Sequence, residues 1–171
     1  MNMNNQEKNN YVRTQITTTL LDMMAEIPFD KISISDLVSR AEVGRASFYR
    51  NYTDKNDVLC QESDRLMKEW GGAFKMDGND NTSETLISFL DFLKAHKDFY
   101  SLLYRSGHDN VIREAILSQF PVSDELPNII AYLTFSMGYM TYGWVHEWIK
   151  RGMQESGTEL AQMFEATQKK S

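Results

Sequence analysis

The chain is short of cysteine, proline and histidine, and each shortage removes a class of explanation. One cysteine in 171 residues excludes an internal disulfide framework. Three prolines and 42% hydrophobic residues are the composition of a folded globular chain, not a disordered one. The three histidines, His96, His108 and His146, share no spacing and have no cysteine partners, so no metal site is expected. No uninterrupted apolar run approaches the roughly 18 residues of a membrane span, and residues 1–10 are polar with no signal-like apolar core, so the expected compartment is the cytoplasm. There is no nucleophile–base pairing, phosphate loop or metal spacing, so neither an enzyme nor a cofactor is expected.

Positive charge is also scarce. The formal net charge is −6, and residues 1–60 hold seven Lys or Arg against eight Asp or Glu, residues 61–171 eleven against sixteen. Indiscriminate binding to nucleic acid, which depends on neutralising many phosphates, is thereby disfavoured. Any affinity for DNA must come from the placement of a few cations such as Lys8, Arg13, Arg45, Arg50 and Lys55.

The most informative segment runs from Ser33 to Leu59. Ser33 with Asp36 three residues later is a cap signal, and Leu37, Val38 and Ala41 follow at helical spacing. Glu42-Val43-Gly44 then reads as a turn, with Gly44 opening a second short helix on which Phe48 and Tyr52 lie four apart on an inward face. Arg45, Ala46, Ser47 and Tyr49 are left near the start of that helix. Asp54 caps the next one, with Lys55 beside its N-terminus. Two short helices joined by a tight turn are the layout of a helix-turn-helix reader, whose second helix presents its first residues to the major groove.

On Ala41, Val43, Phe48, Tyr49, Tyr52, Lys55 and Leu59 the segment resembles the DNA-binding domain of the TetR/AcrR family of bacterial transcriptional regulators. Three positions depart from the pattern: Glu42 stands where glycine is usual, Gly44 where serine is common, and Ala46 where glycine or proline is common. The stretch from Trp144 to Phe164 is more loosely similar to the last two helices of such regulators, which pair with their copies. The resemblance implies an all-α fold of about nine helices: an N-terminal three-helix bundle with the helix-turn-helix over residues 1–55, and a helical effector-binding and dimerisation domain over 56–171. It implies contacts to double-stranded operator DNA from Ser33, Ser35, Gly44, Arg45, Ala46, Ser47, Tyr49, Arg50, Asn51 and Lys55, with Arg45 on base edges and Tyr49 and Lys55 on phosphates. It further implies a homodimeric repressor, released by an unidentified small molecule held among Trp70, Phe74, Tyr100, Tyr104, Met137, Tyr139, Tyr142 and Trp144. Trp148, Leu160, Met163 and Phe164 would contribute to the dimer interface. The competing reading is a co-regulator with the same fold that acts through a protein partner and has lost operator binding; Glu42 and the uncharged balance of the reader favour it.

Elsewhere the helical period recurs and strand alternation does not. The pattern predicts helices over Tyr11–Glu26 (Ile16, Leu20, Met23 and Met24 on one face), 54–70, from Ser83, over Lys97–Arg105, Val111–Phe120 and from Pro127 to about Arg151, and a last one from Thr158. Cys60, in an apolar helical context, is expected to be a small buried hydrophobe.

Overall fold

A computed structural model of the protein describes residues 4–73 and 82–168. Among the described residues it is all-α: α1 (Asn5–Glu26), α2 (Ile34–Arg40), α3 (Arg45–Asn51), α4 (Lys55–Ala73), α5 (Thr82–Ala95), α6 (Lys97–Arg105), α7 (Asp109–Leu117), α8 (Asn128–Lys150) and α9 (Gly157–Gln168), with a 3-10 turn at Phe29–Lys31. The chain divides into two compact units, residues 1–64 and 65–171, and the division falls inside α4.

In the first unit α1 begins well before Tyr11. Asn4 caps it: the Asn4 side chain accepts from the Glu7 N–H and the Glu7 carboxylate accepts from the Asn4 N–H, each at 2.8 Å. The turns that follow are polar, which is why apolar periodicity does not announce them. Ile16, Leu20, Met23 and Met24 form the buried face of α1. Ser33 caps α2, accepting from the Asp36 N–H at 3.0 Å and donating to the Asp36 carboxylate at 2.6 Å. Leu37 and Val38 turn inward from α2, Phe48 is the buried residue of α3, and Tyr52 is buried just beyond it. The Tyr52 and Thr17 hydroxyls meet at 3.4 Å. A two-pronged Arg40–Glu26 pair, at 2.6 and 2.5 Å, joins the ends of α2 and α1 at the surface, and the guanidinium holds the Glu26 carboxyl below its ordinary range.

In the second unit α5 packs on α9, α7 on α8, and α6 against α5, α7 and α8. Phe89, Leu90, Leu93, Tyr100, Leu103, Ile112, Ile116, Val145, Trp148 and Leu160 are buried there. α5 and α9 approach closely at Gly157, whose N–H donates to the Asp91 carboxylate at 3.0 Å and where a Cβ would stand 2.9 Å from the Ile87 carbonyl oxygen. Lys94 holds the segment before α9 by donating to the carbonyls of Gln154 and Glu155 at 3.1 and 2.8 Å. α8 ends in a Schellman-type cap, with Gly152 and Met153 both at positive φ (82° and 51°) and the Met153 N–H donating to Trp148 O at 2.8 Å. α8 is 23 residues long, but no helix among the described residues is long and apolar enough to cross a membrane.

The contrast between two glycines is measurable. Gly157→Ala forces a methyl into α5 and should cost about 1–3 kcal/mol, despite the better helix propensity of alanine. Gly143, inside α8, has nothing within 4 Å of its virtual Cβ, so Gly143→Ala should raise stability by up to about 1 kcal/mol. Thermal unfolding of the two variants should therefore shift the melting temperature in opposite directions.

Candidate nucleic-acid interface

The geometry of the first unit follows from how little of α3 can be hidden. A helix of seven residues makes about two turns. With Phe48 fully buried, the helical period turns the positions one and two after it outward, and Arg45 is exposed as the first residue of the helix. Arg45, Ala46, Tyr49 and Arg50 are exposed, and Ser47 and Asn51 are half-buried. The Phe48 and Tyr49 rings meet edge to face at 5.3 Å, so the inward ring braces the base of the outward one.

Arg45 is not a freely waving side chain. Its guanidinium carbon lies 5.7 Å from the centre of the Tyr49 ring, and Nη1 donates to the Ser35 hydroxyl of α2 at 3.4 Å. Arg50 is exposed and has no hydrogen-bond or ion-pair partner among the described residues. Asn51 turns back instead, its side-chain amide donating to Ser47 O at 2.9 Å, and Gln61 of α4 donates to Asn51 O at 3.0 Å. These bonds close the end of α3 and leave Asn51 committed to the fold. Ser33 is likewise occupied as the α2 cap, while Ser35 and Ala46 are exposed. Gly44, the residue before α3, has φ −73°, and a Cβ there would meet only Ser47 Oγ at 3.9 Å. Its conformation does not require glycine.

Two positions differ from what the sequence pattern suggests. Lys55, expected to be a phosphate clamp, points its ammonium into the fold: Nζ donates to the carbonyls of Phe29 and Ile32 at 2.7 and 2.6 Å and lies 4.3 Å from the Phe29 ring centre. The neighbouring N-terminus of α4 is filled by carboxylates, with Asp54 accepting from the Asp57 N–H at 2.9 Å and Asp57 accepting from the Thr53 N–H at 2.8 Å. Lys55 thus pins the turn before α2. The second position is Glu42, whose φ of 54° is the left-handed conformation that the usual glycine supplies without strain. Arg13, 5.7 Å from the Tyr52 ring centre, is a cation that the α3 pattern alone does not bring to this region.

The residues expected to enclose an effector are not gathered into one cavity. Trp70 is core, stacked edge-on to Phe89 at 5.0 Å and donating to Ser88 Oγ at 3.1 Å, and Tyr100 is fully buried. Phe74 lies outside the described residues. Met137 and Tyr139 are solvent-exposed on α8, because the first half of that helix presents apolar residues on two sides. Trp144 packs on Phe164 across α8 and α9 at 5.3 Å. Tyr104 and Tyr142 come together on either side of His146 at 5.2 and 5.6 Å, with the Tyr142 hydroxyl donating to the Asp109 carboxylate at 3.0 Å. Partial burial, reinforced by that bond and the nearby carboxylate, raises the Tyr142 pKa.

Of the four residues expected at a dimer interface, Trp148 and Leu160 are buried within the unit's own core. Met163 is exposed and Phe164 half-buried. Both pairs sit on helical spacings that look alike in sequence. Cys60 is half-buried, with the Asn56 amide 3.7 Å from its sulfur.

Solved structures supply the comparison. A Listeria innocua protein is superimposable at a TM-score of 0.79 with 17% identity, over 99% of this chain and 95% of that one. A Syntrophomonas wolfei protein assigned to the TetR-family transcriptional regulators follows at TM-score 0.66 and 18% identity, over 91% of each chain. The dihydroxyacetone kinase operon activator DhaS gives 0.56 and 15%, over 89% of this chain and 90% of that one. The fold is therefore TetR-like. No protein-family profile matches the sequence, and no curated protein does.

Two substitutions separate structural from contact roles. Glu42→Gly relieves a conformation costing about 1–2 kcal/mol, partly offset by the greater freedom of glycine when unfolded, so a net gain of up to about 1 kcal/mol is expected. For a chain of this length that is roughly 2–4 °C in melting temperature. Lys55→Ala takes the ammonium donor from the Ile32 carbonyl and one of two donors from the Phe29 carbonyl, which keeps the Ile32 N–H at 3.0 Å, and should cost about 1–3 kcal/mol. At a temperature where the variant is folded, its salt dependence of DNA binding should equal that of the wild type, whereas loss of a phosphate-clamping lysine would lower the slope by about one unit.

Proposed function

We propose that the chain is a homodimeric, sequence-specific DNA-binding regulator of transcription that represses by occupying its operator. The observation that carries this reading is the outward row Arg45, Tyr49 and Arg50 on a helix whose inward ring, Phe48, is fully buried. That is what a recognition helix must do: present fixed donors to base edges from a rigid support. The acidity of the whole chain fits a protein that finds its site by placed contacts and not by bulk charge. Repression needs only occupancy, and no additional surface.

The dimeric part of the proposal rests on α8. Ile129, Leu133, Met137 and Met140 are exposed at spacings of four, four and three, and so form one apolar stripe along the helix. The stripe leads towards Trp144 and Met163, which line an open groove between α8 and α9 with a volume of about 450 Å³. We assign the effector contact to the half-buried group Tyr104, Tyr142, His146 and Asp109, where two of the expected residues meet around one imidazole.

Selection of bound sequences from a random DNA pool tests the proposal. The expected product is a palindromic motif with half-sites about one helical turn apart, roughly 34 Å. Arg45→Ala should then cost about 1–3 kcal/mol on that motif and relax one position in each half-site, while Arg50→Ala should weaken all sequences alike and lower the salt slope by about one unit. A wild-type chain that enriched no sequence would replace this reading with that of a protein-binding co-regulator.

A further inference from the structure

We infer that Ser35 is a positioning residue for Arg45, and that Ser35 and the Tyr49 ring together hold the Arg45 guanidinium in a pose that reads a guanine. The inference rests on the operator-binding reading and adds which base is read and what makes the reader selective.

Arginine is a long, flexible side chain, and an unrestrained one loses conformational freedom when it docks on a base. Arg45 is restrained before DNA arrives. Its tip is tied sideways by the Nη1 bond to Ser35 Oγ at 3.4 Å, and one of its faces is supported by the Tyr49 ring, 5.7 Å from guanidinium carbon to ring centre. Ser35 lies on α2 and Tyr49 one turn further along α3, so the restraint comes from two different helices of the same unit. The carboxylate next to Ser35 in sequence, that of Asp36, is already engaged by the Ser33 hydroxyl at 2.6 Å. No carboxylate pairs with Arg45 among the described residues, so its positive charge is uncompensated.

With Nη1 partly used by Ser35, the edge formed by Nε and Nη2 carries no partner among the described residues. That edge presents two parallel N–H groups, and among the bases guanine offers the matching pair of acceptors, O6 and N7, in the major groove. Adenine offers N7 beside an amino donor, which would oppose the second N–H. The Tyr49 ring supports the guanidinium by stacking, so its hydroxyl is not needed for base choice.

The test is selection from a random DNA pool by the full chain and by Ser35→Ala, Ser35→Thr, Arg45→Ala, Tyr49→Phe and Tyr49→Leu. Base preference is read at each motif position, and affinity for scrambled DNA is read at several salt concentrations. The wild type should prefer guanine at one position per half-site, and Arg45→Ala should abolish that preference. Ser35→Ala should lower it about fivefold at the same position, the worth of one net hydrogen bond, with base preference at the other motif positions and the melting temperature unchanged. Ser35→Thr, which keeps a hydroxyl, and Tyr49→Phe, which keeps the ring, should retain it, and Tyr49→Leu should lower it. If the wild type selects a motif whose Arg45-dependent position is not guanine, or if Ser35→Ala leaves the guanine preference intact, the inference is overturned while the operator-binding reading stands. If the wild type selects no motif, the operator-binding reading falls and the inference falls with it.

Discussion

The burial of Phe48 is the interaction on which the candidate interface depends. α3 has seven residues and a single buried one, so the helical period converts one inward ring into a fixed outward set. The rest of the unit's core comes from Leu37 and Val38 of α2 and Ile16 and Leu20 of α1, and the Tyr52 ring lies 5.7 Å from that of Phe48. A core this small would let a short helix roll, and the bonds at its C-terminal end oppose that. Asn51 and Gln61 close its C-terminal end, and Lys55 fixes the turn that leads into α2. The C-terminal end of the helix is thus held by hydrogen bonds and its middle by an aromatic ring.

The same economy explains the position of Glu42. The turn between α2 and α3 must redirect the chain within four residues, 41–44, and one of them takes a left-handed conformation. Glycine would do so without strain; here a glutamate does, on the exposed side of the turn. Its exposure keeps its charge solvated, so the cost is conformational and not electrostatic. Met153 repeats the device after α8, where burial of its side chain holds the backbone in the same conformation.

The second unit is organised by close backbone approach. Gly157 lets α9 lie against α5, and Gly138 lets α8 lie against α7, where a Cβ would meet Leu117 Cδ2 at 3.0 Å. The buried residues of α8 are Gly138, Thr141, Val145, Trp148 and Ile149, and among the described residues nothing buries the apolar side chains of its first half. The exposed stripe is the consequence. It is also why Met137 and Tyr139, which sequence pattern groups with an internal pocket, lie at the surface.

The sequence by itself determined the helices and the inward face of the reader. Caps, prolines and apolar periodicity are local signals, and α6 and the cap of α2 follow from them residue for residue. They also place Phe48 and Tyr52 inside and Tyr49 outside, because that assignment needs only the period of a helix. What local signals could not show was α1 starting at Asn5, since its first turns are held by a polar cap and carry no apolar stripe. Nor could they separate Trp148 and Leu160, which are core, from Met163, which is exposed, because all three sit on similar helical spacings. The tertiary structure decided these, and it decided the partners of Lys55 and Arg45. Lys55 finds carbonyls 26 and 23 positions earlier, and Arg45 a hydroxyl ten positions earlier. Bonds of that sequence separation exist only once the helices have packed, so the roles they confer are properties of the fold and not of the motif.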